Sequence, residues 1–406
     1  MRRLSIASRP QLSSSMAYPR RALPFLAASS NPPVPRSPHQ CRRDMAVLSR
    51  SLRGDESPRK RRRWRRIWNR YVIPDRPTEI VAVEDDEEDT HRHDEYATNS
   101  IEESSSHRDG SIYTGLGYFY WKKYLHVADR GETRLEPMMF TDPTPDCGRY
   151  IGDCWRHRPT GMLQIFSIQV AKLIPQDAGS AELYGYVATR DNLDPLLNYV
   201  VNISRDDPLV VEQGSLVPMT GPKRGIEVGI DCMEITLVEY DMRIKVGQHE
   251  KDDLQILDGA SMLGNQGSWG WPFKLDTPGD FGTIDLTLSR VRSAVEATVE
   301  VAILQVQSSF NLSLVCLTSG FKDEEIVLFD GAIAESRGLK RSVVAVASHS
   351  YMDLKFNVAG LPSTPDQHCC SFKAEIHGHV TQHIKTEFAL ISVKVTWSTL
   401  QHTTMA

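Results

Sequence analysis

Long apolar runs are missing from this sequence. No stretch approaches the roughly 18 consecutive apolar residues of a membrane-spanning helix, so such a helix is excluded. Cysteine is scarce: seven in 406 residues is too few for a disulfide scaffold, and the number is odd. Neither a Walker-type loop nor a GxGxxG fingerprint occurs, so the common nucleotide cradles are absent. No segment keeps a helical apolar period over about 12 residues, which argues against a helical fold. Serines abound, but any Ser-His-Asp trio would be chosen without geometry, so no catalytic residue is assigned. No cofactor is assigned either.

What is present is strong charge segregation. The formal net charge of −5 divides into +15 over residues 1–78, −10 over 79–110 and −10 over 111–406. A basic block, an acidic block and a mildly acidic remainder predict a disordered tail over 1–110 attached to a globular part. The first 50 residues carry nine Arg, nine Ser and seven Pro against one acid, Asp44. That is the composition of an organelle transit peptide or of a disordered basic extension. The best secretory h-region, Ala22 to Ala28, is short and broken by Pro24, which argues against an oxidising compartment. The run RKRRRWRR, Arg59 to Arg66, reads as a nuclear-import or nucleic-acid patch, with Trp64 and Trp68 available to stack. Glu84 to Asp89 are six consecutive acids, followed by the serine-rich 100–106. An intact basic run favours nucleus or cytoplasm; a cleaved 1–50 would favour plastid or mitochondrion.

Order is expected from about Tyr118, with 119–125 docking on the domain behind it and 111–160 serving as an irregular connector. From Met162 the texture alternates apolar and polar. Strands are predicted over 162–173, 181–190, 197–203, 233–246, 283–291, 297–307, 309–317, 325–331, 342–348, 351–358 and 388–397. Asp258-Gly259, Asn265 to Gly267 and Thr277 to Asp280 read as turns. Many short strands with frequent turns predict an all-β, sandwich-like domain over 161–400. Leu209–Arg224 aligns without gaps on Ile326–Arg341, keeping Val210/Val327, Gly214/Gly331, Gly221/Gly338, Lys223/Lys340 and Arg224/Arg341 identical. The neighbours Leu197-Asn198 and Phe310-Asn311 follow suit, and the strand from Gln164 matches that from Thr283. Two similar antiparallel β-units, roughly 160–250 and 275–400, are therefore expected.

The strings ELYGYVATRDNLDPLLNYVVNISRDDPLVV, SLVPMTGPKRGIEV, VQSSFNLSLVCLTS, LFDGAIAESRGLKRSVVAV and ISVKVTWSTL resemble a plant family abundant in grasses, a domain of unknown function numbered 6598. The resemblance covers about 135–400. It implies no activity. Some relatives carry the domain behind a ribosome-inactivating N-glycosidase domain, which suggests a stress or defence association; the first 110 residues are too short and polar to be that enzyme.

Four cations are the candidate site. Lys223, Arg224, Lys340 and Arg341 stand beside glycine turns in both repeats, where backbone amides and cations together could hold an anion. They could equally shield strand edges. Asp206, Asp207, Asp252, Asp253 and Asp258 are loop carboxylates of the kind that bind calcium or shape turns. His368, Cys369, Cys370, His377, His379 and His383 form a soft-ligand cluster, and Cys147, Cys154 and His157 a smaller one. Neither has paired zinc spacing, and adjacent cysteines face opposite sides of a strand, so no metal site is assigned. Asn202 and Asn311 match the glycosylation acceptor but sit in strands. Trp397 is expected in the core or at an edge. The reading is a non-catalytic interaction module binding a protein partner, with no membrane association. The alternative is a nucleic-acid-associated factor contacting its target through 59–66.

Overall fold

The computed structural model describes residues 98–99 and 124–401, apart from 128, 145–146, 148–155, 175–178, 230–234, 265–266, 280, 322 and 361–365. The basic and acidic stretches of the tail, and the readings attached to them, lie outside the described residues, as do Cys154 and most of 119–125.

The described chain is built of strands in antiparallel sheets, as the alternating texture requires. In chain order they are β1 (Thr98–Asn99), β2 (Thr160–Leu173), β3 (Ala181–Arg190), β4 (Asn198–Ile203), β5 (Leu209–Val211), β6 (Ile226–Glu227), β7 (Thr236–Lys245), β8 (Leu254–Leu263) and β9 (Phe273–Gly279). There follow β10 (Gly282–Val306), β11 (Phe310–Thr318), β12 (Ile326–Ile333), β13 (Arg337–Gly338), β14 (Ser342–Ala347), β15 (Tyr351–Ala359), β16 (Asp366–Lys373), β17 (Gly378–Lys385) and β18 (Ala389–Ser398).

One connectivity occurs twice. In the first sandwich, β8-β7-β3-β4 form one sheet and β9, the first half of β10, β2 and β6 the other. In the second, β16-β15-β11-β12 face β17, β18, the second half of β10 and β14. The strand β10, 25 residues long, thus closes the first sandwich and opens the second. Its register with β2 breaks between Val291 and Ala294, beyond which β14 and β18 replace β9 and β2 as partners, and Ser293 takes a φ of 45°. A register break with a left-handed residue re-aims a strand without ending it.

Each sandwich has its own core. Val238, Tyr240, Met242 and Ile244 of β7 point inward at every second position to meet Leu163 and Ile165 of β2 and Leu286 and Leu288 of β10. Leu312 and Leu314 of β11 meet Val393, Val395 and Trp397 of β18 in the second core. Met162 and Phe166 of β2 join that second core, Phe166 meeting Phe321 edge-on with ring centroids 5.2 Å apart.

The opposite face of β7 and β3 is also covered. Leu125 and Val127 of the connector pack on Leu237 and Ala260. Beneath them Arg190 and Glu239 pair at 2.6 Å, both side chains fully buried. The Arg190 guanidinium also donates to the carbonyls of His126, Asp129 and Pro195. Burying this cation is tolerable because nearly all its donors find acceptors. The connector is thereby fixed to the sandwich by its main chain.

One expected turn lies inside a strand, and the expected turn from Thr277 begins later, with the chain reversing after Gly279. Asp258-Gly259 pairs with Asp241 and Tyr240 in the middle of β8, and Thr277 and Pro278 pair with Ile284 and Thr283 at the end of β9. Pro278 has no N–H to donate, and as an outer strand of its sheet β9 tolerates that.

Candidate anion-binding groove

The two basic glycine turns sit at matching places, just before the equivalent strands β6 and β14. Gly221 has to be glycine: a Cβ there would lie 1.8 Å from the Tyr199 carbonyl oxygen. The glycine lets that turn lie directly against β4.

Three of the four candidate cations converge. Lys223, Lys340 and Arg341 line one open groove of about 500 Å³, together with Glu132, Tyr199, Asn202, Thr220, Gly221, Pro222 and Val343. The Lys340 ammonium donates to the Thr220 carbonyl, bridging the repeats, and partial burial holds it below the ordinary lysine value. Asn198 fixes the turn, accepting from the Lys223 amide at 2.9 Å and donating to the Arg224 carbonyl at 3.0 Å.

A carboxylate already engages two of these cations. Glu136 of the connector lies 2.7 Å from the Lys223 ammonium and 3.7 Å from the Arg341 guanidinium, with more than half its side chain exposed. Sequence reasoning missed Glu136, Glu132 and Tyr199. None is near the glycine turns in the chain, and no local pattern marks them.

Arg224 does not belong to this surface. It is 1% exposed and grips Asp191 through two nitrogens, at 2.8 and 2.9 Å. Its remaining donors reach the Gly225 carbonyl, the Asp194 carbonyl and the Thr133 hydroxyl. Burial works against its charge, yet the Asp191, Asp194 and Glu296 carboxylates outweigh burial and raise its pKa. Glu296, on β10, accepts from the amides of Gly225 and Met138 and from the Ser398 hydroxyl. The Arg224 region is thus a buried polar knot tying connector, β6 and β18 to β10.

Of the loop acids, Asp253 is engaged by side chains and main chain of its own domain. Asp253 accepts from the Tyr184 hydroxyl at 2.6 Å, the Arg205 guanidinium at 2.7 Å and the Val246 amide at 3.1 Å. Burial alone would raise its carboxyl; these hydrogen bonds outweigh it and hold the pKa well below the usual carboxylate range. Its contribution to stability is complete above about pH 4 and drains away as pH falls toward the folded value. Urea titrations across acid pH therefore show a shallower decline below about pH 4 for Asp253→Asn than for the parent chain. Equal slopes would place the acid sensitivity elsewhere.

Of the soft-ligand residues, Cys369 is exposed and Cys370 is buried, on opposite faces of β16 as adjacency demands. His368 is engaged with Asp366 at 2.7 Å. Among the described residues, the group able to surround a metal ion is Cys147, His157 and His377, drawn from both sequence clusters. No helix among the described residues is long and apolar enough to cross a membrane.

No curated protein matches this sequence. Among solved structures, human GIVD cytosolic phospholipase A2 is similar at 10% identity and a TM-score of 0.19; the match covers 60% of this chain and 30% of the phospholipase. Extended-Synaptotagmin 2, in a structure of two of its domains, is similar at 10% identity and a TM-score of 0.21, over 64% of this chain and 99% of that one. The calcium-bound form of that pair gives 8% identity, 60% and 99% coverage, and a TM-score of 0.22. Likeness at that level says nothing about ligand or activity. The family comparison is decisive where these are not: the model of a domain of unknown function, DUF6598, matches residues 162–395, and the chain belongs to that family.

Proposed function

We propose that this protein is a non-catalytic binding module whose groove takes an acidic segment of a protein partner. The observation carrying this reading is the Glu136 carboxylate seated between Lys223 and Arg341. Two groove cations, one from each repeat, that already hold a carboxylate have the chemistry to hold a partner's. Lys340 adds a third cation, and Tyr199 and Asn202 supply an aromatic face and an amide. Exposed ion pairs are individually weak, so a longer acidic segment engaging all three cations is needed to displace Glu136.

The experiment titrates a labelled octaglutamate peptide into the full chain and into a chain whose basic residues in 59–66 are replaced by serine. In the tail-neutralised chain, Lys340→Ala with Arg341→Ala weakens binding about tenfold, and Glu136→Gln tightens it several-fold by removing the internal competitor. Both effects shrink at high salt, because exposed charges are screened. If binding instead vanishes with the basic run and ignores the groove variants, the tail is the contact and the nucleic-acid reading gains.

A further inference from the structure

Two segments far apart in the chain bring soft donor atoms to one point. Cys147 and His157 belong to the connector, and His377 to the loop that precedes β17. Their donor atoms all lie within 4.8 Å of one another, with Cys147 Sγ 3.2 Å from His157 Nδ1. The two imidazole rings meet edge-on with centroids 4.9 Å apart. Bond lengths of about 2.3 Å to sulfur and about 2.0 Å to nitrogen place tetrahedral donors roughly 3.3–3.6 Å apart, so small side-chain adjustments close this triangle on an ion.

We propose that Cys147, His157 and His377 bind a zinc-class transition-metal ion that clasps the connector to the second sandwich. One thiolate and two imidazoles select soft and borderline metals over calcium or magnesium. Three protein ligands leave a fourth position for water. The surroundings suit the role. The Thr144 amide donates to Cys147 Sγ at 3.2 Å, which holds the sulfur in place. His157 is 2% exposed, so its ring is held in place by the packing around it.

The backbone independently docks these segments. The Gly378 amide donates to the Thr141 carbonyl at 2.7 Å, and the Thr399 hydroxyl to the Arg156 carbonyl at 3.3 Å. The connector also carries Glu136, so holding it here fixes the segment that pairs with Lys223 and Arg341.

The test uses the full chain, stripped with chelator and titrated with zinc, then with cobalt(II). One equivalent is expected per chain, with the visible bands of tetrahedral cobalt(II) and a near-ultraviolet sulfur-to-cobalt band. Cys147→Ser removes the sulfur band and weakens zinc at least tenfold. His377→Asn, at a half-buried loop position that survives substitution more readily than His157, weakens zinc to a similar degree and keeps the sulfur band. Cys369→Ser changes neither. Failure of the full chain to hold one equivalent overturns the proposal. So does stoichiometric binding that persists unchanged in Cys147→Ser and His377→Asn, or that disappears in Cys369→Ser.

Discussion

Arg224→Ala lowers the unfolding free energy by about 3–5 kcal/mol, the cost expected when one partner of a buried ion pair is removed. It leaves the affinity of the groove for an acidic peptide within about twofold of the parent, measured where the variant remains folded. The reason lies in what Asp191 is left with. In the native chain Asp191 is 1% exposed and meets two guanidinium nitrogens, plus the amides of Glu227 and Asp194. Without the guanidinium two amides must carry a buried anion. Asp191→Asn added to Arg224→Ala recovers part of the loss, because the uncompensated charge is gone; the double-mutant cycle reads the coupling directly. Urea denaturation of the four chains makes the measurement. A loss below about 1 kcal/mol would show the pair to be surface-like, and a fall in peptide affinity matching that of the Lys340 and Arg341 variants would return Arg224 to the groove.

This is also where sequence and structure part. Lys223-Arg224 and Lys340-Arg341 look equivalent in the alignment, and their main chains do occupy matching places before β6 and β14. Burial separates the arginines, and Asp191 decides it from 33 residues away, beyond any local pattern. The strands whose burial alternates, such as β15 and most of β11, were legible because alternation writes burial into the sequence. β16 and β17 were not. Their exposed positions are filled by His, Cys, Thr and Gln, and as outer strands they carry little apolar signal. β10 read as two strands because Arg292 and Ser293 interrupt its apolar run at the hand-over between sandwiches. The metal-capable triangle was split between two sequence clusters for a related reason. Cys147 and His157 were visible together, and His377 was visible among its neighbours, but only the docking of the connector onto the loop before β17 unites them.

Trp397→Ala costs about 3–5 kcal/mol, and Trp397→Phe costs a small fraction of that. Trp397 is fully buried near the end of β18, paired with Ala297 on β10 and Gly378 on β17. It is the largest fully buried side chain of the second core, so truncation to alanine removes many contacts and leaves a cavity the sheets cannot close. The phenylalanine variant separates volume from polarity. The indole N–H has no hydrogen-bond partner among the described residues, so removing it breaks no bond and relieves an unsatisfied buried donor. Chemical denaturation of both variants distinguishes the two contributions. A loss for Trp397→Phe as large as that for alanine would mean the indole nitrogen is bonded after all. A loss for alanine near 1 kcal/mol would mean that the second core collapses around the gap, and that the two sheets are held chiefly by β10 and its flanking ladders rather than by packing at this end of β18.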